Sequence, residues 1–383
     1  MSLGICADVH RWRADYVSAT QLGTIMVMTL SQNHPMMDGR TSDSPLISAY
    51  RGKTPSRRPV WFMRQAGRSL PEYRKLRVGT EMLESCLRPD MASEITLQPV
   101  RRHDVDAGIF FSDIVIPLKL AGIEVEIVPG VGPVLGTPVR TAADVRALPK
   151  MTDAALDPIR EAVAMTVEQL GNKPLIGFAG APFTVAAYMV EGRPSRDHLG
   201  PRTMMHAEPG VWEELANWAA DASGAFLRAQ IEAGASAGQL FDSWAGSLSL
   251  ADYTNHVAPS SARALDHVRD LDVPLIHFGT GTGELLGEMR KVGVDVMGVD
   301  YRIPLDEANR RLGGDIPLQG NIDPALLEAP WEILEAHVRE VLTAGDSAPG
   351  HVANLGHGVP PETNPETLTR VVELIHSIAP KAR

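Results

Sequence analysis

The chain has 383 residues, of which 44% are hydrophobic and 22% charged, and its formal net charge is −11 at pH 7. This composition argues against intrinsic disorder, and the negative charge argues against general nucleic-acid binding, which normally goes with a basic balance. Two cysteines, Cys6 and Cys86, are too few for a disulfide framework or a cysteine-rich metal site. No apolar run reaches the ~20 residues that span a bilayer. We therefore expect a cytoplasmic globular protein that binds neither nucleic acid nor membrane.

Residues 1–45 are irregular in pattern, which predicts a flexible N-terminal tail. From about residue 58, short apolar runs alternate with helical stretches such as 153–170, 211–233 and 326–342. Each run has the length of a strand that is buried on both faces. The predicted strands are Val60–Met63, Ile109–Asp113, Pro174–Ala179, Gly238–Asp242, Val273–Phe278, Val294–Asp300, Ile316–Gly320 and His351–Leu355.

Repeated strand–helix alternation predicts an α/β fold with a parallel sheet and right-handed crossovers. Eight candidate strands favour a closed (β/α)8 barrel, the TIM-barrel architecture, over an open doubly wound sheet. Residues 120–140, rich in Gly, Pro and Val, are an alternative source of a third strand or a hairpin. No linker or internal repeat divides the chain, so we expect a single domain over residues 46–383.

In such barrels the functional site forms at the carboxyl ends of the strands. Arg64 and Arg68 follow the first predicted strand, and Gly67 between them allows the chain to turn tightly. Arginine guanidinium groups bind carboxylates with two parallel hydrogen bonds, so this turn predicts an anion site. Asp113 ends the second strand, where a partly desolvated carboxylate needs N–H donors or a cation. A structural salt bridge is the alternative role for Asp113.

Further polar residues follow later strands. Tyr188 lies one helical turn after Thr184, so the two side chains could share a face toward a cleft, although a buried core tyrosine is the alternative. Ser243 has no Gly-x-Ser-x-Gly motif around it and is expected to donate hydrogen bonds rather than act as a nucleophile. His357 lies between two glycines after the last strand. The glycine-rich loop 279–283 lacks a dinucleotide fingerprint and is expected to turn the chain.

The segment 63–74 (MRQAGRSLPEYR), with Arg77, resembles the signature of the uroporphyrinogen decarboxylase family. Other segments resemble the family in the same order, and the likeness extends over about residues 45–380. Ser69 departs from the pattern, because an aromatic residue is usual there. The further matching segments are 111–113 (FSD), 180–184 (GAPFT), 188–192 (YMVEG), 319–324 (QGNIDP) and 354–358 (NLGHG).

The resemblance implies a homodimer of (β/α)8 barrels with no metal or prosthetic group. The implied reaction converts the four acetate side chains of uroporphyrinogen III to methyls, giving coproporphyrinogen III on the pathway to haem. Asp113, Arg64 and Tyr188 are the implied catalytic residues, with Asp113 stabilising a cation on the protonated pyrrole ring. Arg64, Arg68 or a bound water would deliver the ring proton. The implied substrate-binding residues are Arg64, Gln65, Ala66, Gly67, Arg68, Arg77, Phe111, Asp113, Tyr188, Ser243 and His357.

Two other classes of function compete with this interpretation. A zinc-dependent thiol methyltransferase of the same wider superfamily would need cysteine and histidine ligands at strand ends, and His277 has no cysteine beside it. A non-catalytic tetrapyrrole-binding protein on the same fold would be expected to lack the equivalents of Asp113 or Arg64. Both alternatives are less well supported than the decarboxylase.

Overall fold

The computed structural model describes residues 30–381. Many of its helices begin with proline in the first turn, where the missing N–H has no intrahelical acceptor to lose. The helices are α1 (Pro45–Tyr50), α2 (Pro71–Leu76), α3 (Met82–Leu87), α4 (Pro89–His103), α5 (Ile116–Leu120), α6 (Ala142–Arg146), α7 (Asp157–Leu170), α8 (Pro182–Glu191), α9 (Leu199–Ala207), α10 (Pro209–Glu232), α11 (Leu250–Asp252), α12 (Ala258–Asp266), α13 (Leu286–Lys291), α14 (Leu305–Arg311), α15 (Trp331–Gly345) and α16 (Pro365–Ser377).

The described strands form a curled seven-stranded parallel sheet and a separate antiparallel pair. The pair lies within residues 120–140 and confirms the hairpin that we considered there. The sheet order is β1-β4-β5-β6-β7-β8-β9. The strands are β1 (Gly108–Ile109), β2 (Val125–Val128), β3 (Gly132–Leu135), β4 (Leu175–Gly180), β5 (Ala237–Asp242), β6 (Leu275–Gly279), β7 (Val296–Gly298), β8 (Leu318–Gln319) and β9 (His351–Val352).

The parallel sheet is covered by helices, as the apolar runs predicted. Every residue of β4 is buried, which is typical of a strand with helices over its outer face and other side chains over its inner face. Outside the sheet, the 24-residue helix α10 packs against α8 and α12. Because the strands are parallel, their carboxyl ends all lie at one edge of the sheet. That edge is where the predicted site residues were expected.

Residues 59–61 lie between the two edge strands of the sheet. On one side the Ala353 N–H donates to the Pro59 carbonyl at 2.9 Å and the Trp61 N–H donates to the Ala353 carbonyl at 3.2 Å. On the other side the Asp106 N–H donates to the Val60 carbonyl at 2.8 Å. The predicted strand Val60–Met63 is reduced to one bridge, because the next backbone N–H groups donate to side chains instead of to a neighbouring strand. Phe62 N–H donates to the Gln65 side chain and Met63 N–H to that of Asn354, both at 3.0 Å.

The side chain of Asp106 joins this segment to the end of the chain. Its carboxylate accepts hydrogen bonds from Val60 N–H at 2.8 Å and from Arg57 Nε at 2.7 Å. His376 on α16 places Nε2 2.9 Å from the same carboxylate. A buried carboxylate is stable only when it is paired and hydrogen-bonded, and these partners meet that requirement.

Two sequence predictions need correction. Several strands are shorter than predicted, since the runs 109–113, 294–300, 316–320 and 351–355 correspond only to the short strands β1, β7, β8 and β9. The helix predicted at 326–342 begins at Trp331, since Pro330 separates it from a 3-10 turn at Pro324–Glu328.

Part of the predicted tail falls within the described residues. Residues 30–44 form turns, in which His34 Nε2 lies 2.9 Å from the Ile231 carbonyl oxygen and Thr41 Oγ1 lies 2.8 Å from Ser236 Oγ. The rest of that tail, residues 1–29, lies outside the described residues. No helix within residues 30–381 is both long and apolar enough to cross a bilayer.

Candidate active site

Four of the predicted site residues are supplied by elements that end at the same edge of the sheet. Asp113 follows β1, Ser243 follows β5 and His357 follows β9, while Tyr188 lies on α8, directly after β4. The register of the parallel ladder therefore brings together residues that are far apart in sequence.

Arg64 occupies a tight turn immediately after residues 59–61. Its φ of 59° is left-handed, a conformation that is uncommon for a residue with a side chain and that often marks a functional site. The Gln65 side chain is fully buried and holds the turn, since Nε2 donates to the Ala107 carbonyl at 3.0 Å and Oε1 accepts from Phe62 N–H. The aliphatic part of Arg64 lies against Gly358, where a Cβ would come within 2.5 Å of Arg64 Cδ.

Asp113 is a half-buried carboxylate whose Oδ1 accepts a hydrogen bond from Val115 N–H at 3.0 Å. Burial raises the pKa of Asp113, and the Val115 hydrogen bond and the positive charge of Arg64 oppose that rise. Its environment therefore favours the arrival of positive charge or of additional N–H donors.

Tyr188 is half-buried and its ring stacks on Trp244, with ring centroids 3.9 Å apart. Trp244 stacks on His198 on its other side at 4.2 Å. Burial raises the pKa of Tyr188 to about 12, with the Asp113 charge adding to the rise and Arg64 opposing it. The hydroxyl therefore stays protonated at neutral pH and can donate a hydrogen bond.

His357 completes the group around Arg64. Burial lowers the pKa of His357, and the charges of Arg64 and Arg302 lower it further. The ring is therefore a neutral donor and acceptor at neutral pH, unless an anion binds beside it. Arg64 thus acts electrostatically on Asp113, Tyr188 and His357 together.

A group of buried, interacting polar side chains supports this site. Thr184 was a candidate to face the cleft, but its side chain is fully buried and its hydroxyl donates to Asp242 Oδ1 at 2.8 Å. The same hydroxyl accepts a hydrogen bond from Trp244 N–H at 3.3 Å. His277 Nε2 lies 3.6 Å from Asp242 Oδ2, and both side chains are fully buried. Thr184 therefore connects a buried carboxylate to the backbone of the tryptophan that stacks on Tyr188.

Ser243 and His357 line a cavity of about 540 Å³ at the carboxyl edge of the sheet. Three arginines that are not among the predicted site residues also line it, Arg196, Arg202 and Arg302. Arg202 presents a buried Nε without a hydrogen-bond partner among the described residues. Arg302 pairs with Asp300 and lies over the Tyr301 ring at 4.5 Å. The lining therefore carries three arginines against one carboxylate, that of Asp197, and this excess of cations suits a ligand with several carboxylates.

The remaining predicted residues lie along the turn and helix that follow Arg64. Ala66 and Gly67 are half-buried in the turn, and Arg68 is exposed. Arg77 directly follows α2, and its guanidinium donates to Tyr73 Oη and the Thr80 carbonyl, both at 2.8 Å. Phe111 is buried and packs edge-on against the Tyr73 ring at 5.8 Å. Phe111 and the Gln65 side chain thus support the site, whereas Arg68 is accessible.

The glycine-rich loop 279–283 turns the chain beside the cavity. Its Gly281 N–H donates to Asp300 Oδ2 at 2.6 Å, so this amide is already engaged by a carboxylate. Thr280 Oγ1 donates to the Ser243 carbonyl at 2.6 Å. The loop therefore holds neighbouring strand ends together.

Comparison with known proteins identifies the family to which the chain belongs. Residues 41–378 match the family described as uroporphyrinogen decarboxylase (URO-D). A uroporphyrinogen decarboxylase of Arthrobacter sp. (strain FB24) is 80% identical over 345 residues, covering 90% of this chain and 100% of the relative. One of Leifsonia xyli subsp. xyli (strain CTCB07) is 62% identical, covering 92% of this chain and 99% of the relative. The chain belongs to the uroporphyrinogen decarboxylase family.

A solved structure of a methyltransferase from Methanosarcina mazei shares the fold. It superposes with a TM-score of 0.72 at 19% sequence identity, over 88% of this chain and 98% of the other. At that identity the likeness concerns the architecture alone.

Proposed function

We propose that the chain is a carboxy-lyase that removes carbon dioxide from the four acetate side chains of uroporphyrinogen III, leaving methyls and giving coproporphyrinogen III in porphyrin biosynthesis. The observation that carries the proposal is the convergence of Arg64, Asp113, Tyr188 and His357 at the carboxyl edge of the sheet, where the Arg64 side chain packs against Gly358 beside His357. This group lies at the strand ends, where a cavity lined with arginines also opens. A tetrapyrrole with carboxylate arms and inward N–H groups complements both the cations and the carboxylate.

In this reaction a proton first adds to a pyrrole ring, which becomes the electron sink. The bond between the acetate methylene and its carboxyl carbon then breaks, its electron pair neutralises the ring cation, and carbon dioxide leaves. The methylene carbon takes up a proton and the ring gives one back, so each cycle consumes one proton. The carboxylate of Asp113 accepts hydrogen bonds from the pyrrole N–H groups and stabilises the ring cation. Fixed charge aimed at a developing charge is often the largest catalytic contribution.

The other residues bind and orient the substrate. Arg64, Arg68, Arg77 and His357 bind carboxylate arms, and the protonated hydroxyl of Tyr188 positions the reacting acetate together with Ser243. The backbone of residues 65–67 and the ring of Phe111 shape the wall beside them. Arg196, Arg202 and Arg302 extend the cationic surface to arms that are not reacting.

The proposed chemistry uses no metal or prosthetic group. The alternative, a zinc-dependent thiol methyltransferase, would need an accessible thiolate among its metal ligands. Cys86 lies buried on α3, and burial raises the pKa of its thiol well above the usual range. Cys6 lies outside the described residues. We therefore favour the decarboxylase.

We also propose that residues 46–383 form one closed (β/α)8 barrel in which residues 59–61 are the eighth strand, preceded by an extension over 1–45. The hydrogen bonds from Ala353 and Asp106 to this segment support closure. The family resemblance supports a homodimer that works in the cytoplasm. Light scattering of the purified chain measures its assembly state, and a monomeric mass at micromolar concentration would contradict the dimer.

The test of the activity is anaerobic incubation of the purified chain, in the presence of EDTA, with uroporphyrinogen III. The oxidised porphyrins are then separated by the number of carboxylates they carry. We expect stepwise conversion, and Asp113→Asn should reduce kcat far more than it raises KM. Asp90→Asn, which removes an exposed carboxylate at the start of α4, is the matched control and should keep full activity. Full activity in Asp113→Asn would exclude the proposed role of that residue. No conversion by the folded wild-type chain would exclude the reaction itself.

A further inference from the structure

A cluster of two histidines and one aspartate lies outside the group of residues that we assign to decarboxylation. His206 is near the end of α9, while Asp252 ends α11 and His256 lies in the π-helical turn Tyr253–Val257 that follows. One potential ligand atom from each side chain lies within 4.8 Å of the other two. His206 Nε2 and Asp252 Oδ1 are only 3.1 Å apart.

We infer that His206, Asp252 and His256 form a binding site for a divalent transition metal, with Zn²⁺ as the metal that fits best. Two imidazoles and a carboxylate are a ligand set suited to zinc, and magnesium and calcium prefer all-oxygen sites. Tetrahedral zinc with bonds of about 2.0–2.1 Å holds its ligand atoms roughly 3.3 Å apart. The His206–Asp252 separation already matches this value, and water completes the coordination.

The backbone on the Asp252 side is held in place before any metal binds. Ser249 Oγ accepts a hydrogen bond from Asp252 N–H at 3.0 Å, which caps α11. Trp212 is buried, and its Nε1 donates to the His256 carbonyl at 2.8 Å. π-Helical turns are rare and are frequent at functional sites. Two ligands are therefore presented from a fixed backbone.

The third ligand is free to adjust. The His206 side chain is 61% exposed, whereas that of Asp252 is 14% exposed. The rings of His206 and His256 meet edge-on with centroids 5.7 Å apart. Rotation of the exposed imidazole of His206 would adjust its distances to both Asp252 and His256. A bound ion would join α9, whose Arg202 lines the cavity, to the turn after α11.

The test is titration of the EDTA-treated full-length chain with zinc sulfate, in competition with a chromophoric chelator. We expect one high-affinity equivalent of zinc. Loss of even an outer-shell partner typically weakens metal binding 10–100-fold, so His206→Ala and His256→Ala should each weaken binding by at least about tenfold. At the same zinc concentration, zinc should also raise the Tm of the wild type more than the Tm of either variant.

The chain contains a matched control. His267 Nε2 lies 3.1 Å from Asp221 Oδ1, the same separation as in the cluster, but that pair belongs to no group of three potential ligands in the described part of the chain. His267→Ala should bind zinc as tightly as the wild type. Each variant's Tm in EDTA shows whether it is folded. The inference is overturned if the wild type binds no zinc, if both cluster variants bind it unchanged, or if His267→Ala weakens binding equally. None of these readouts depends on decarboxylase activity.

Discussion

Gly358 is the residue whose replacement should most directly test the importance of the Arg64 position. In Gly358→Ala the new Cβ would come within 2.5 Å of Arg64 Cδ and 2.8 Å of Arg64 Cγ. Ordinary carbon–carbon contacts are about 3.5 Å, so the Arg64 side chain must move by about 1 Å. A misplacement of that size in an active site can cost about 100-fold in rate, or about 2.7 kcal/mol of transition-state stabilisation.

The measurement is kcat/KM for uroporphyrinogen III under anaerobic conditions, with Tm recorded for each variant. Gly287→Ala is the matched control, because Gly287 lies in α13 and a Cβ there meets nothing within 4 Å. Alanine in place of a helical glycine should stabilise the protein by about 0.5–1 kcal/mol and leave kcat/KM unchanged. If Gly358→Ala keeps kcat/KM within twofold of the wild type, the position of Arg64 does not limit catalysis and the argument is refuted.

Three further predictions concern stability and binding. Burial raises the pKa of Asp113, so the ionised carboxylate destabilises the folded state. In urea unfolding at neutral pH, Asp113→Asn should therefore have a larger free energy of unfolding than the wild type. Below the ordinary aspartate pKa the two proteins should have the same free energy of unfolding. Thr184→Val removes the hydroxyl that bonds Asp242 and should cost about 1.5–3 kcal/mol, more than Thr166→Val, whose hydroxyl bonds only a helix carbonyl; equal losses would contradict this. Arg202→Gln should raise KM about tenfold at constant kcat and Tm in steady-state assays, and an unchanged KM would remove Arg202 from the substrate site.

The sequence predicts the sheet well, because strands buried on both faces leave long apolar runs. The runs around 174–179 and 238–242 became β4 and β5 with small shifts. The first run was less predictable. Whether Val60–Met63 forms a ladder depends on Gln65 and Asn354, whose side chains replace the backbone partners, and no local pattern reveals that exchange.

The positions of several site residues were also predictable, since polar residues directly after an apolar run are placed at the strand ends. Arg302 follows the predicted strand Val294–Asp300 and could have been found by the same rule. Arg196 and Arg202 could not, because they follow α8 rather than a strand. The buried pair of Asp242 and His277 is invisible in sequence, since its partners lie on different strands.

The contacts of residues 59–61 with Ala353 and Asp106 have a consequence for the synthesis of the chain. Residues 59–61 are synthesised early, yet their partner at residue 353 emerges only near the end of translation. Until then the nascent chain carries an unpaired strand edge, the kind of surface that invites aggregation. His376 reaches Asp106 later still. We therefore expect nascent chains that end before residue 350 to be protease-sensitive and to need chaperone protection. Limited proteolysis of stalled chains would measure this sensitivity. Protease resistance equal to that of the full chain would argue against this order of events.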